Sequence, residues 1–390
     1  MQKVLFVIPT LTGGGAERVV STLSQYFPEE ISTDVLLNSC SEKDYRFDGK
    51  IIELGMKPQV TKSFSYQLKA MWLRFWKLKK LKKSGQYCAV ISFLESANIV
   101  NILTKNKKCK TIVSVRNVIS QENNTSYRHI INLIVRLLYN RADKVVSLSK
   151  GVEKDLTENL KLNPKKNITI YNGYDISKMG HKSKESDKAE FTFITMGRNV
   201  EQKGQWHLIR AFSQVVKEYP NARLKILGQG NLEDYLKELI KGYQLEDIVL
   251  LEGFIKNPQS ELEKADCFVF PSLFEGFGNS LIEALIAGLP VIASDFRYGA
   301  REILAPSLDI TEENKDSIIE AEYGILIPVC SGKHYTWQEP LEKEEELMAS
   351  AMINFLKNSN DNKYEKDKLK ECVERFSIEK CIEDWKKVLV

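Results

Sequence analysis

No stretch of this 390-residue chain stays apolar long enough to span a membrane. The apolar run within Met1–Pro9 is too short for the hydrophobic region of a secretion signal followed by a cleavage site, so a cytoplasmic location is expected. The seven cysteines are scattered and none forms a Cys-x-x-Cys pair. That argues against a zinc ribbon or a disulfide framework and fits a reducing compartment, where most of them read as small core residues. The Gly-x-Gly-x-x-Gly dinucleotide fingerprint is absent, and so are nucleic-acid reader motifs, internal repeats and low-complexity tracts.

What is present is a globular composition, 43% apolar and 28% charged, with length enough for two domains. The net charge of +4 hides an imbalance. Through Gly180 there are 29 Lys and Arg against 15 Asp and Glu, a net +14; the remainder carries 27 against 37, a net −10. The first half is therefore expected to face something anionic: a nucleic acid, a lipid phosphate or a membrane surface.

Short apolar runs bounded by polar turns recur along the chain. In the first half they fall at Val4–Ile8, Asp34–Leu37, Ala89–Phe93, Thr111–Val115, Val145–Leu148 and Asn167–Tyr171. Helical spacing separates several of them, notably 16–27 with Val19, Val20, Leu23 and Phe27 on one face, and 127–142 with Ile130, Ile131, Ile134, Leu137 and Leu138 as a core face. This alternation predicts an α/β fold with parallel sheets, whose ligands lie beyond the strand C-termini. The polar stretch 178–190 reads as an interdomain linker, and a second alternation follows from Phe191.

The chemistry concentrates in residues 267–292. Cys267–Phe270 reads as a buried strand, a glycine-bearing loop follows, and Leu281, Ile282, Leu285 and Ile286 repeat at helical spacing until Gly288 and Pro290 end the helix. A helix beginning at Gly278-Asn279-Ser280 aims backbone N–H groups and its dipole at the strand end, an anion site. Glu275 and Glu283 flank it, although Ser280-x-x-Glu283 equally matches a capping box. Phe191–Met196 is a further strand, ending in Gly197-Arg198 and followed by Lys203-Gly204.

Glu275-Gly276-Phe277-Gly278-Asn279-Ser280-Leu281-Ile282-Glu283 resembles the E-x7-E signature of the retaining glycosyltransferases of family 4, and Gly197-Arg198…Lys203-Gly204 resembles that family's G-R…K-G motif. The resemblance covers nearly the whole chain. It implies two Rossmann-like domains facing each other across a cleft (the GT-B type): an acceptor-binding domain over 1–180, a nucleotide-sugar-binding domain over 181–375, and a helix over 376–390 returning to the first. It implies that Arg198, Lys203 and the backbone of Gly278 to Leu281 hold the donor diphosphate, Glu283 the ribose and Glu275 the transferred sugar, with Arg198, Lys203 and Glu275 as the catalytic set. Gly14 and Gly15 of the Gly13-Gly14-Gly15-Ala16-Glu17-Arg18 loop would line the phosphates, and Phe254 would border the nucleobase. Arg116 and Asn117 would help place the acceptor, Arg116 standing where many members carry His. Cations at the diphosphate suit the chemistry, because negative charge grows on the leaving group as the glycosidic bond breaks.

The resemblance further implies a retaining transfer from a nucleotide sugar, a UDP-sugar by expectation, to a hydroxyl of a lipid-linked glycan in bacterial surface polysaccharide assembly. The nucleotide sugar is a co-substrate; no cofactor and no metal are expected, and no Asp-x-Asp element is present. The competing readings are an epimerase or hydrolase of the same architecture, or a non-catalytic nucleotide-sugar-binding protein. Residues 66–86 place Leu68, Met71, Trp72, Phe75 and Leu78 on one helical face and carry Arg74, Lys77, Lys79, Lys80, Lys82 and Lys83. Trp and Phe among lysines suit the inner face of an anionic membrane, so peripheral attachment there is expected, with no nucleic acid partner.

Overall fold

A computed structural model describes residues 2–57, 63–120, 126–177, 179–180, 190–312, 314–358 and 366–389. The apolar runs become strands: β1 Gln2–Val7, β2 Ile31–Leu37, β3 Lys50–Glu53, β4 Ala89–Phe93, β5 Lys110–Val115, β6 Lys144–Ser147 and β7 Asn167–Thr169 in the first half. In the second they are β8 Phe191–Met196, β9 Ala222–Leu227, β10 Val249–Gly253, β11 Cys267–Phe270, β12 Val291–Ser294, β13 Ile319–Glu320 and β14 Ile325–Ile327. The α-helices are α1 Gly15–Tyr26, α2 Phe64–Ser84, α3 Glu95–Leu103, α4 Ser126–Leu138, α5 Lys150–Lys154, α6 Gln205–Glu218, α7 Glu233–Gly242, α8 Gln259–Leu262, α9 Asn279–Ile286, α10 Ala300–Leu304, α11 Lys343–Lys357, α12 Lys366–Glu374 and α13 Ile378–Leu389. None of the described helices is long and apolar enough to cross a membrane.

The chain forms two compact units, Met1–Tyr174 with Phe376–Val390, and Asp175–Arg375. Each is a Rossmann-like α/β unit around one seven-stranded sheet. The first sheet, ordered β3-β2-β1-β4-β5-β6-β7, is parallel throughout. The second, β10-β9-β8-β11-β12-β14-β13, is parallel except for the edge pair β13–β14. The linker expected over 178–190 lies mostly outside the described residues. All seven cysteines are free and five are buried, as their small-core role requires.

In the first unit, α1 and α13 cover one face, where Trp385 and Leu389 join Phe6, Phe93 and Ile112. Gly173 belongs to this joint. A Cβ added there would meet Ile378 Cδ1 at 2.6 Å and Cys381 Cβ at 2.7 Å, so the Asn-Gly pair allows close backbone approach to α13. On the opposite face, Leu78 of α2 packs with Ala97 and Val100 of α3 against Leu5, Val7 and Val90.

Helix α2 departs from its expected faces. Its buried line is Ala70, Arg74, Leu78 and Lys82, spaced by four. Leu68 and Trp72, expected beside Leu78, are exposed. Arg74 and Lys82, counted with the outward charge, point inward: Arg74 donates to Asn38 Oδ1 at 2.7 Å and to Ser96 Oγ at 3.3 Å, and Lys82 Nζ donates to Asn101 O at 2.7 Å and Thr111 Oγ1 at 3.1 Å. The aliphatic stems supply the packing while neutral oxygens hold the cations. In α4, Leu137 is likewise exposed rather than in the core, while Val135 is buried.

Burial lowers the Lys82 ammonium to about 8. A lysine lowered on folding opposes the folded state while charged, at a cost on the order of 3 kcal/mol, and that cost fades as pH rises from about 8 to the ordinary value. Over that window Lys82→Met is expected to abolish the part of the alkaline rise in stability that the wild type shows in excess, read as the difference between their denaturant midpoints at each pH.

The segment 330–343, which has no clear pattern in the sequence, wraps α6 and α7. Buried Arg210 donates to the carbonyls of Thr336 (2.5 Å) and Pro340 (2.7 Å) and, through Nε, to Glu345 Oε1 (2.8 Å). Trp206 Nε1 donates to Lys333 O at 2.9 Å. Backbone without secondary structure thereby satisfies its carbonyls on side chains of neighbouring helices. Within 306–322, the structure adds the antiparallel edge strand β13.

Candidate active site

Among the parallel strands the order reverses between β1 and β4 in the first sheet and between β8 and β11 in the second. Ligands of open α/β sheets sit above such a reversal, beyond the strand C-termini. In the second unit, that position receives Gly197–Gly204 after β8 and Pro271–Gly278 after β11.

The two loops are joined. Leu273 N donates to Gln202 O at 2.9 Å, and Gln202 Nε2 donates to Phe274 O at 2.9 Å. Gly204, at φ 62, lets α6 start close to β11; a Cβ there would lie 2.4 Å from Pro271 O. This packing brings Lys203 Nζ to 2.5 Å from Glu275 Oε1. The ammonium also lies 5.0 Å from the centre of the Phe270 ring. The pair is mostly buried, with side chains 15% and 12% exposed. Two residues from separate sequence motifs thus become one charge-compensated pair.

Helix α9 starts beside it. Its N-cap is Gly278 at φ 102, ψ 57, which has no side chain to cap it, and no acidic residue stands in its first turn. The capping-box alternative is therefore corrected: Ser280 lies inside the helix and cannot act as N-cap to Glu283. Asn279, Ser280 and Glu283 are half-buried. Leu281 is buried, and its N–H is engaged by the Gly278 carbonyl at 3.0 Å, which withdraws it from the expected phosphate donors. Arg198 and Phe254 are exposed on the loops after β8 and β10.

Residues not singled out by sequence shape the loop that carries Arg198. Buried Gln205 donates from Nε2 to the carbonyls of Arg198 (3.0 Å) and Gly197 (3.4 Å). Asn199 N donates to Gln229 O at 3.0 Å. Gly228 and Gly230 make room: a Cβ at Gly228 would lie 1.8 Å from Gly197 O, and one at Gly230 2.1 Å from Asn199 O. The signal available was the Gly228-Gln229-Gly230 triplet closing a strand.

In the first unit, Gly14 is the N-cap of α1. The carboxylate of Glu17 folds over it, with Oε2 only 2.1 Å from where a Gly14 Cβ would stand. The Glu17 carboxylate thus stands beside the glycine that was expected to line the donor phosphates. Arg116 donates to Asn172 Oδ1 and, at 3.5 Å, to Ser114 Oγ. Burial lowers its guanidinium to about 10, so it stays a cation at neutral pH. Asn117 beside it is half-buried.

Residues 13–178 match the family model described as Glycosyltransferase Family 4, and residues 178–321 match that for glycosyl transferases group 1. The sequence is 36% identical over 334 residues to an uncharacterized glycosyltransferase of Methanocaldococcus jannaschii, covering 80% of this chain and 82% of that one. The chain belongs to glycosyltransferase family 4. The transferase is also 32% identical over 338 residues to the N-acetylgalactosamine-N,N'-diacetylbacillosaminyl-diphospho-undecaprenol 4-alpha-N-acetylgalactosaminyltransferase of Campylobacter jejuni, covering 84% and 87% of the two chains. Its two-domain GT-B fold is shared with Anabaena HepE, solved with UDP and glucose, at a TM-score of 0.74, 18% identity and coverage of 100% and 99%. TarM superposes with a TM-score of 0.75 at 17% identity, again covering 100% and 99%. At such identities the solved structures speak to the fold of the transferase alone.

Proposed function

We propose that this glycosyltransferase moves a sugar from a UDP-sugar, with retention at the anomeric carbon, to a hydroxyl of a lipid-linked glycan in bacterial surface polysaccharide assembly. The observation that carries the reading is the Lys203–Glu275 pair beside the N-terminus of α9 at the strand-order reversal of the second unit. In this reading the donor diphosphate takes the Lys203 ammonium, reinforced by Arg198 and the N-terminal dipole of α9. Glu275, released from Lys203, accepts hydrogen bonds from sugar hydroxyls, and Glu283 accepts from the ribose. Both cations act more strongly as the leaving diphosphate gains charge, so no metal is required in this scheme. Arg116 and Asn117 would serve the acceptor side in the first unit.

The donor class is supported by the UDP-bound HepE and the acceptor class by the C. jejuni relative, whose name specifies a diphospho-undecaprenol substrate. A Staphylococcus aureus relative named for capsular polysaccharide biosynthesis, CapH, is 28% identical over 357 residues and points the same way. Peripheral attachment to the inner face of the cytoplasmic membrane belongs to this reading.

The test is incubation with individual UDP-sugars and a detergent-solubilised polyprenyl-diphosphate glycan, with and without EDTA. One UDP-sugar is expected to give a product one sugar heavier, with the donor's anomeric configuration by NMR and an unchanged rate in EDTA. Consumption of donor without a glycosylated product, or an inverted linkage, would refute it.

A further inference from the structure

The outward side of α2 is left uncovered in a particular place. Phe64, Leu68, Trp72 and Trp76, spaced by four, are 75%, 52%, 62% and 53% exposed. At about 100° per residue they stand roughly 160° from the buried line of Ala70, Arg74 and Leu78. Lys69, Lys80 and Lys83 are exposed on the same outward side. Lys79 lies 5.1 Å above the Trp76 ring. The helix contains no Asp or Glu. With Arg74 and Lys82 turned inward, the outward charge is purely lysine.

Where this stripe lies follows from the inward contacts. Lys82 reaches Thr111, the second residue of β5. Arg74 reaches Asn38, just past the end of β2, and Ser96, just past the end of β4. Arg74 therefore marks the C-terminal rim of the first sheet. The ten residues Phe64–Leu73 run about 15 Å further, beyond that rim. Phe64, Leu68 and Trp72 of the stripe overhang the edge that bears the Gly13–Gly15 loop and Arg116, and Trp76 continues the stripe on the sheet side of Arg74.

We infer that the outward face of α2 docks on an anionic bilayer, inserting Phe64, Leu68, Trp72 and Trp76 at the headgroup level while the lysines engage lipid phosphates. This rests on the membrane-linked acceptor of the proposed function and adds to it a docking face and a geometry: the face is continuous with the ligand rim of the first unit, so a membrane-anchored acceptor meets that rim without leaving the bilayer. A basic helix with Trp and Phe exposed on one side has the chemistry of an interfacial helix. Four large apolar side chains exposed in one line mark an interaction surface, and the lysines around them fit an anionic bilayer as its occupant.

The experiment uses the full chain with vesicles of phosphatidylcholine alone or with 30% phosphatidylglycerol, read by co-sedimentation and by tryptophan emission. Trp206 and Trp385 are buried already and Trp72, Trp76 and Trp337 are exposed, so a blue shift that the variant at 72 and 76 loses comes from α2. Wild type is expected to bind only the anionic vesicles, with a blue shift. Trp72→Ser with Trp76→Ser is expected to weaken binding about tenfold or more and abolish the shift. Lys69→Gln, Lys80→Gln and Lys83→Gln together are expected to weaken it about a hundredfold at low salt. Both variants are expected to keep wild-type transfer to the detergent-solubilised acceptor. Vesicle binding unchanged in the Trp variant overturns the inference. So does sedimentation showing a dimer that the Trp variant dissolves, with no vesicle binding by wild type. An enzyme that transfers sugar in detergent yet ignores vesicles refutes the docking alone; one that binds vesicles but makes no product refutes the proposed function alone.

Discussion

Lys203→Ala is expected to lower kcat/KM by about a hundredfold to a thousandfold, the usual loss when one fixed stabiliser of developing negative charge is removed. The ammonium is held by the turn Glu201–Lys203, by the Phe270 ring and by Glu275, so it is positioned before any donor arrives. Preorganisation of this kind costs no rearrangement as charge builds on the diphosphate. Most of the loss should fall in kcat, since the cation interacts more strongly with the leaving group than with the intact donor. Stability should fall by about 1–2 kcal/mol, because Glu275 is left mostly buried without its partner. Thermal shift with UDP separates the two effects: the variant should fold, and its melting point should rise less with UDP than that of wild type. Full activity in Lys203→Ala would remove the diphosphate assignment. Glu275→Gln serves as the companion, expected to impair sugar transfer while leaving the UDP-induced shift in place.

Gly228→Ala is expected to cost about 3 kcal/mol or more and to abolish donor binding in whatever fraction still folds. Two effects add. The backbone at Gly228 has φ 144, a region that side chains rarely adopt, and the added methyl would lie 1.8 Å from the Gly197 carbonyl oxygen. Neither atom can yield without moving the loop that carries Arg198, because Asn199 N is bonded to Gln229 O and Gly228 N to Gly253 O. Denaturant unfolding measures the first effect and UDP titration the second. A variant with wild-type stability and wild-type UDP affinity would show that this close approach has no part in forming the donor loop.

The sequence was most legible where chemistry and local structure share the same residues. Gly278 at a positive φ, a short apolar strand before it and Glu275 and Glu283 at fixed offsets all sit within one span, and the strand, loop and helix appear there as read. The parallel sheets were legible because strands covered on both faces are apolar throughout, as in Ala89–Phe93. What was not legible depends on partners far along the chain. Nothing local marks Arg210 as the anchor of 330–343, more than a hundred residues away. Nothing local says that Arg74 and Lys82 turn inward, because their partners Asn38, Ser96, Asn101 and Thr111 come from other elements. Hydrophobicity assigns a lysine outward by default, and a long stem that can pack while its tip finds a carbonyl defeats that rule. The four-residue β3, with exposed Lys50 and Ile51, carries too weak a pattern to be read as a strand.

The intimate fit between Gly173 and α13 bears on how the protein comes into being. One of the helices covering one face of the N-terminal sheet, α13, lies beyond the whole second unit in sequence, so Phe93 and Ile112 stay without Trp385 until the chain past that unit has been made. The C-terminal unit, continuous in sequence, has everything it needs earlier. During synthesis the second unit therefore has its full sequence before the first has, inverting the usual order of completion.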